Sequence, residues 1–202
     1  EELTPDEKIE KVLVNEGKGV SHSRLKLADC LHAFHESYVM EREEEESEVA
    51  QFGSYVHELT EDSFKQKADP SMIANEKVKG YPLVPGWRIG EAVVMARYAL
   101  ARIDARHGVD IERPFLKELL KIEDKTINFN GRIDRLELNP WNLKVIDLKT
   151  GVYTDPSKSF QLPLYSWGAN INESTGVLHF LRFNEWAETR IDRDRIEEVL
   201  KW

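Results

Sequence analysis

Two carboxylates and a lysine stand at spacings that could build a centre for cutting phosphodiesters: Asp134 in Gly131-Arg132-Ile133-Asp134, and the pair in Ile146-Asp147-Leu148-Lys149. Both stretches alternate with period two. Phe129, Gly131 and Ile133 are expected on one side of a strand with Asn130, Arg132 and Asp134 on the other, while Leu143, Val145, Asp147 and Lys149 share one face of the next strand. Between them lies Asn139-Pro140-Trp141-Asn142, and a two-residue or symmetric four-residue turn gives one register, in which paired positions sum to 281. That register sets Asp134 opposite Asp147. Pro140 excludes a type I′ turn, so an odd-length loop is the alternative, and it would break this pairing. Opposed residues of an antiparallel pair have Cβ atoms roughly 4.5 to 5.5 Å apart, where like charges repel. A divalent cation, which favours carboxylate oxygens, is a natural occupant of the space between them.

The chemistry follows from the groups. Carboxylates hold Mg²⁺ or Mn²⁺, the ion polarises a phosphoryl oxygen and acidifies a bound water, and a neighbouring lysine orients that water or stabilises developing charge. Lys149 is placed for that work. The bland reading is an exposed hairpin with an Asp/Lys pair two residues apart, an arrangement common on protein surfaces.

Gly131-Arg-Ile-Asp134 followed by Ile146-Asp-Leu-Lys-Thr-Gly151 resembles the second and third motifs of the PD-(D/E)xK nuclease superfamily. Gly53-Ser-Tyr-Val-His57 and Gln161-Leu-Pro-Leu-Tyr165 resemble the helix motifs of its RecB-like exonuclease branch, and Ser21-x-Ser23-Arg24-Leu25 with Cys30 and Phe34 resembles the amino-terminal segment of that branch. The resemblance implies a restriction-endonuclease-like α/β core, a mixed central sheet flanked by helices in the order αβββαβ, behind a helical amino-terminal half. It also implies a metal held by His57, Asp134, Asp147 and the backbone carbonyl of Leu148, with Lys149, Asp134, Asp147, Gln161 and Tyr165 as the catalytic set. The implied activity is a Mg²⁺- or Mn²⁺-dependent deoxyribonuclease acting as an exonuclease on DNA ends or single strands, with a helicase or recombination protein as candidate partner. Some members bind an iron–sulfur cluster through four cysteines; Cys30 resembles the first of these, but the chain has no other cysteine, so no cluster is expected.

With 202 residues and 41% apolar content, the chain is long enough for one core, and residues 1–202 read as one domain: 1–108 a mainly helical front half with the His motif, 109–202 the catalytic core. No long apolar run or signal-peptide pattern is present, and the single cysteine agrees with a reducing compartment, so a cytoplasmic protein with no membrane association is expected. The net charge of −9 argues against bulk electrostatic coating of nucleic acid. Residues 1–48 hold 14 Asp and Glu against 6 Lys and Arg, whereas residues 49–202 hold 23 against 22, leaving the core nearly neutral. The six glutamates within 41–48 read as a solvated helix end or loop.

The positioning elements follow in order. Thr4-Pro5-Asp6 starts a helix over 4–16, Ser23 caps a second helix to Met40, and a third over 48–66 lines up Gly53, His57 and Glu61. Cys30, His32 and His35 do not share one face and lack a fourth zinc ligand. A lone helical histidine such as His57 is more often structural; the resemblance alone makes it a ligand. Residues 69–86, with three prolines and two glycines, read as an irregular connection, and 87–107 as a helix buried through Ile89, Val93, Ala96, Leu100 and Ile103. A strand over 109–122 holds Glu112, which reads equally as a supporting acid of the site and as an edge-strand residue beside Pro114. A helix over 159–170 must begin close enough to Pro163 to keep it in the first turn, which turns Gln161 and Tyr165 the same way. Strands over 176–183 and 187–192 and a helix over 194–202 complete the expectation. Two rival functions share many of these features: a catalytically silent RecB-like module that binds DNA or a helicase, and a restriction-like endonuclease.

Overall fold

A computed structural model describes residues 20–21, 46–104, 107–122 and 125–201. The helices expected over 4–16 and 23–40, with Cys30, His32 and His35, lie outside the described residues, as do the Ser23-Arg24-Leu25 segment and most of the glutamate run.

Helix α1, Glu48–Gln66, starts where Ser47 Oγ accepts from the Ala50 N–H and stops at Lys67, whose positive φ of 53° lets its N–H reach the Phe64 and Ser63 carbonyls. Phe52, Tyr55, Val56, Leu59 and Ser63 form its buried stripe at helical spacing. The stretch expected to be irregular after it contains a second helix, α2, Pro70–Lys77, and two short 3₁₀ turns, Val78–Gly80 and Gly86–Arg88. Pro70 is the reason: Asp69 caps the Ser71 N–H, and a proline in the first turn starts a helix because no partner is needed for its missing N–H. Helix α3, Ile89–Ala101, is shorter than expected and buries Ala92, Val93, Met95, Ala96 and Ala99. Leu100 and Ile103 are only partly buried.

The sheet has five strands in the order β1-β2-β3-β4-β5: Gly108–Ile122, Lys125–Asn139, Asn142–Lys149, Ser174–Phe180 and Glu185–Ile191. Among the described strands only β3 and β4 pair in parallel, with Val20 adding one isolated parallel bridge to Phe129 of β2, and the chain crosses from β3 to β4 through α4, Gln161–Gly168; α5, Arg193–Leu200, ends the described fold. The expected restriction-endonuclease-like arrangement, a mixed sheet flanked by helices with helices ahead of it, is the one observed. Two apolar clusters cover the two faces. Ile146, Leu148, Val177 and Leu181 meet α1 and α3 on one face, whereas Val145, Leu178, Phe180 and Leu136 meet Leu162 of α4 and Ile196 and Val199 of α5 on the other. Among the described residues no helix is long and apolar enough to cross a membrane.

The β2–β3 hairpin has the expected register: Asn139↔Asn142, Glu137↔Lys144 and Arg135↔Ile146 all sum to 281. Pro140 and Trp141 make the two-residue turn, neither with positive φ, and the Trp141 N–H donates to Asn139 Oδ1 at 3.0 Å. Strict alternation along β2 fails at one place. Ile133 and Leu136, three apart, both enter the cluster under α4, so the strand changes phase around Asp134. Opposite that position β1 carries Glu112 with φ 54°; pairing skips both residues, yet resumes without shift at Ile111↔Arg135 and Arg113↔Ile133.

Candidate metal centre

The ladder between β2 and β3 ends at Arg135↔Ile146, and the centre begins one residue beyond. Asp134 turns Oδ2 onto the Leu148 N–H at 2.6 Å, replacing a ladder bond with a charge-assisted one. Its Oδ1 lies 3.4 Å from His57 Nδ1, which α1 brings over this end of the sheet. The positive φ at Glu112 lets that side chain join them, with Oε1 3.7 Å from His57 Nδ1. One ligand atom from each of His57, Glu112 and Asp134 falls within 4.8 Å of the others, a spacing that one cation can span.

His57 is oriented from its other side, where Nε2 lies 3.0 Å from the Leu148 carbonyl. With the Nε2 proton donated to that oxygen, Nδ1 is the nitrogen left for a metal, the usual arrangement for a histidine whose far N–H is anchored to backbone. The Leu148 carbonyl, expected as a ligand through the resemblance, instead contacts the histidine on the side away from the acids. The docking of α1 here does not depend strongly on Gly53, since a Cβ on it would meet Thr150 Oγ1 at 3.4 Å, an ordinary contact.

A second chain of contacts adjoins the first. Asp147 is buried with Oδ2 2.6 Å from Lys149 Nζ; Lys149 donates to Gln161 Oε1 at 3.1 Å, and Gln161 Nε2 donates to the Tyr165 hydroxyl at 2.7 Å. Pro163 is the third residue of α4, inside the first turn, so Gln161 and Tyr165 face the sheet as expected. What holds α4 this close is Phe115. A Cβ on Gly131 of β2 or on Gly168 of α4 would land 2.4 Å from its ring, and that ring meets Tyr165 edge-on at 5.5 Å.

The electrostatics are those of a site short of positive charge. Burial raises the Asp147 pKa, and the charge of Asp134 raises it further against the opposing pull of Lys149. Burial would lower the His57 pKa, but Asp134 and Glu112 override it and hold the ring well above its usual range. Burial would likewise raise Asp134, yet His57, the Leu148 N–H and Lys149 together bring it below its ordinary value. Two buried carboxylates and a third nearly buried one offer hard oxygens beside one imidazole, a donor set that fits a divalent cation.

The structure therefore brings His57, Asp134, Asp147, Lys149, Gln161 and Tyr165 to one end of the sheet, with the Leu148 backbone between the two chains of contacts. Sequence reasoning left Glu112 between two roles and passed over Arg132, whose Nη1 lies 3.7 Å from Glu112 Oε2. Nothing in the local pattern foretold the backbone twist that turns Glu112 inward.

A family model for the PD-(D/E)XK nuclease superfamily matches residues 19–198. A crystal structure of SSO0001 is similar over 88% of this chain and 84% of that one, with 17% identity and a TM-score of 0.39. No curated protein matches the chain.

Proposed function

The chain belongs to the PD-(D/E)XK nuclease superfamily, and from that premise we propose that it is a Mg²⁺- or Mn²⁺-dependent deoxyribonuclease of the RecB-like branch that removes nucleotides from DNA ends. The observation that carries this reading is the meeting of the His57, Glu112 and Asp134 ligand atoms beside the Asp147–Lys149–Gln161 chain of contacts.

His57 Nδ1, Asp134, Asp147 and Glu112 would hold the cation, with the Leu148 carbonyl anchoring the far side of the imidazole through Nε2. Bound there, the cation supplies Lewis-acid polarisation of a phosphoryl oxygen and a water acidified toward neutrality. Lys149 brings a positive charge that Asp147 and Gln161 keep pointed at the centre, where it orients the attacking water and stabilises charge on the phosphoryl group. Gln161 and Tyr165 act through Lys149, fixing its amine by two successive hydrogen bonds. The cytoplasm, and a helicase or recombination protein that delivers ends, belong to the same reading. The whole chain 1–202 works as one nuclease domain.

The test uses purified protein with end-labelled linear DNA and a covalently closed single-stranded circle, each in Mg²⁺, Mn²⁺ or EDTA. Mononucleotides or short products from the linear substrate, an intact circle and silence in EDTA are expected. Cleavage that survives chelation overturns the mechanism, and a nicked circle replaces exonuclease with endonuclease. DNA binding without cleavage in any divalent ion leaves the silent module.

A further inference from the structure

Beside the centre, on the β1 side of the sheet, lies an open cleft of about 340 Å³ between the last turn of α1 and residues 109–114. Glu112 belongs to both: it lines the cleft and shares the metal-ligand trio, so the cleft adjoins the centre through that residue. Phe64, Ile111 and Pro114 give it an apolar wall. Lys65 and Arg113 stand at its edge with side chains 59% and 41% exposed, each held by one carboxylate of its own element, Glu61 and Asp110. Such exposed pairs are weak, so a phosphate can displace either carboxylate at little cost. A third cation, Arg132, sits opposite Pro114 in the β1–β2 register and is 63% exposed.

An apolar wall for a flat ring, exposed cations at the rim and an acid shared with the candidate metal centre match the parts of a nucleotide. The volume lies at the low end of the roughly 300–1,000 Å³ typical of small-ligand sites, a size that suits one nucleotide. Resting on the nuclease reading above, we propose that this cleft is a subsite that seats one unpaired nucleotide next to the scissile phosphate, with Lys65 and Arg113 on its phosphates and Phe64 against its base. The substrate class that follows is a single strand or an end opened before cleavage, because a paired base would have to leave its partner to enter.

The test is fluorescence anisotropy of a labelled oligothymidylate bound to the full chain in Ca²⁺, read against salt concentration. The double variant Lys65→Ala/Arg113→Ala should bind about tenfold or more weakly. Its slope of log affinity against log salt should fall by about 1.4, the share of two phosphate contacts to a single strand. The charge-matched variant Arg190→Ala/Lys201→Ala, altered on β5 and after α5, should stay within about twofold of wild type. An abasic site walked through the oligonucleotide should reveal one position at which base loss weakens wild type but not Phe64→Leu. Equal losses in the two double variants, an unchanged salt slope, or identical abasic profiles overturn the subsite while leaving a wild type that binds and cuts as a nuclease. A wild type that neither binds nor cuts DNA overturns the nuclease reading and the subsite together.

Discussion

The two ends of the β2–β3 hairpin share a pair of strands and little else. At the turn, backbone pairs with backbone as far as Asn139↔Asn142, Glu137 sits opposite Lys144, and Trp141 is 93% exposed. At the other end the ladder stops after Arg135↔Ile146, the next residues on the two strands are both aspartates, and both are buried. The turn end is complete as it stands, since Lys144 pairs with Glu188, Glu137 with Arg135, and its last free N–H has the Asn139 side chain. The open end exchanges ladder bonds for carboxylates aimed at one point, a cost that only groups from elsewhere can offset. His57 arrives from α1, Glu112 from β1 and Gln161 from α4. A fold can thus be regular at one end of a hairpin and hold a site at the other.

The sharpest way to break this contrast is to remove the acids. Asp134→Ala and Asp147→Ala should each lose Mn²⁺ binding by calorimetric titration and all measurable cleavage; retained metal affinity would show that the open end is structural. Lys149→Ala should keep metal and DNA binding and lose on the order of 10²-fold in rate, the size expected when one electrostatic or proton-transfer group is removed. Loss of metal binding in that variant would move Lys149 from the reaction to the ligand set.

Next in size is His57→Ala, which should weaken Mn²⁺ binding by at least the roughly 10- to 100-fold that losing even an orienting partner costs. Its thermal unfolding should remain cooperative, because the ring is partly exposed and supplies little packing. A large fall in melting temperature with unaltered metal affinity would make it a core histidine.

A smaller effect concerns pH. Burial and Asp134 hold Asp147 at about 7 in the metal-free fold, above the roughly 3.9 of a free aspartate. A carboxyl raised on folding contributes stability that is complete below its unfolded value and disappears as pH rises through its folded one. In EDTA, Asp147→Asn should therefore melt near wild type at pH 4 to 5 and above it by a few degrees at pH 8. Saturating Mn²⁺ should reverse the order at pH 8, because the cation binds the carboxylate and not the amide. An asparagine variant that is less stable at pH 8 without metal would show that Asp147 is compensated by the protein alone. The smallest change belongs to the turn. Asn139→Ala should cost about 0.5 to 1.5 kcal/mol for the lost hydrogen bond and leave the cleavage rate within twofold. A large rate loss would mean that the two ends are coupled along the strands.

Much of this contrast was legible before any coordinates. The alternation of apolar and polar residues and the short Asn-Pro-Trp-Asn turn pointed to the hairpin register, with an odd-length loop as the alternative, and the observed pairing sets Leu136 opposite Val145 in one cluster. The position of Pro163 determined where α4 could begin, because a proline costs a helix nothing in its first turn. Residues 69–86 were misread for a related reason: the same rule at Asp69-Pro70 makes a helix start of what looked like a break.

Only the tertiary structure decided the rest. Glu112 faces the centre because its backbone adopts a positive φ that no pattern of side chains announces, and because Asp134 across the gap leaves the ladder at the same level. His57 became oriented when α1 docked its Phe52–Leu59 stripe on the sheet, which set Nε2 against the Leu148 carbonyl and Nδ1 toward the acids. Sequence fixes local periods and turns through nearest-neighbour sterics, whereas a centre assembled from α1, β1, β2, β3 and α4 depends on long-range packing that local periodicity does not encode.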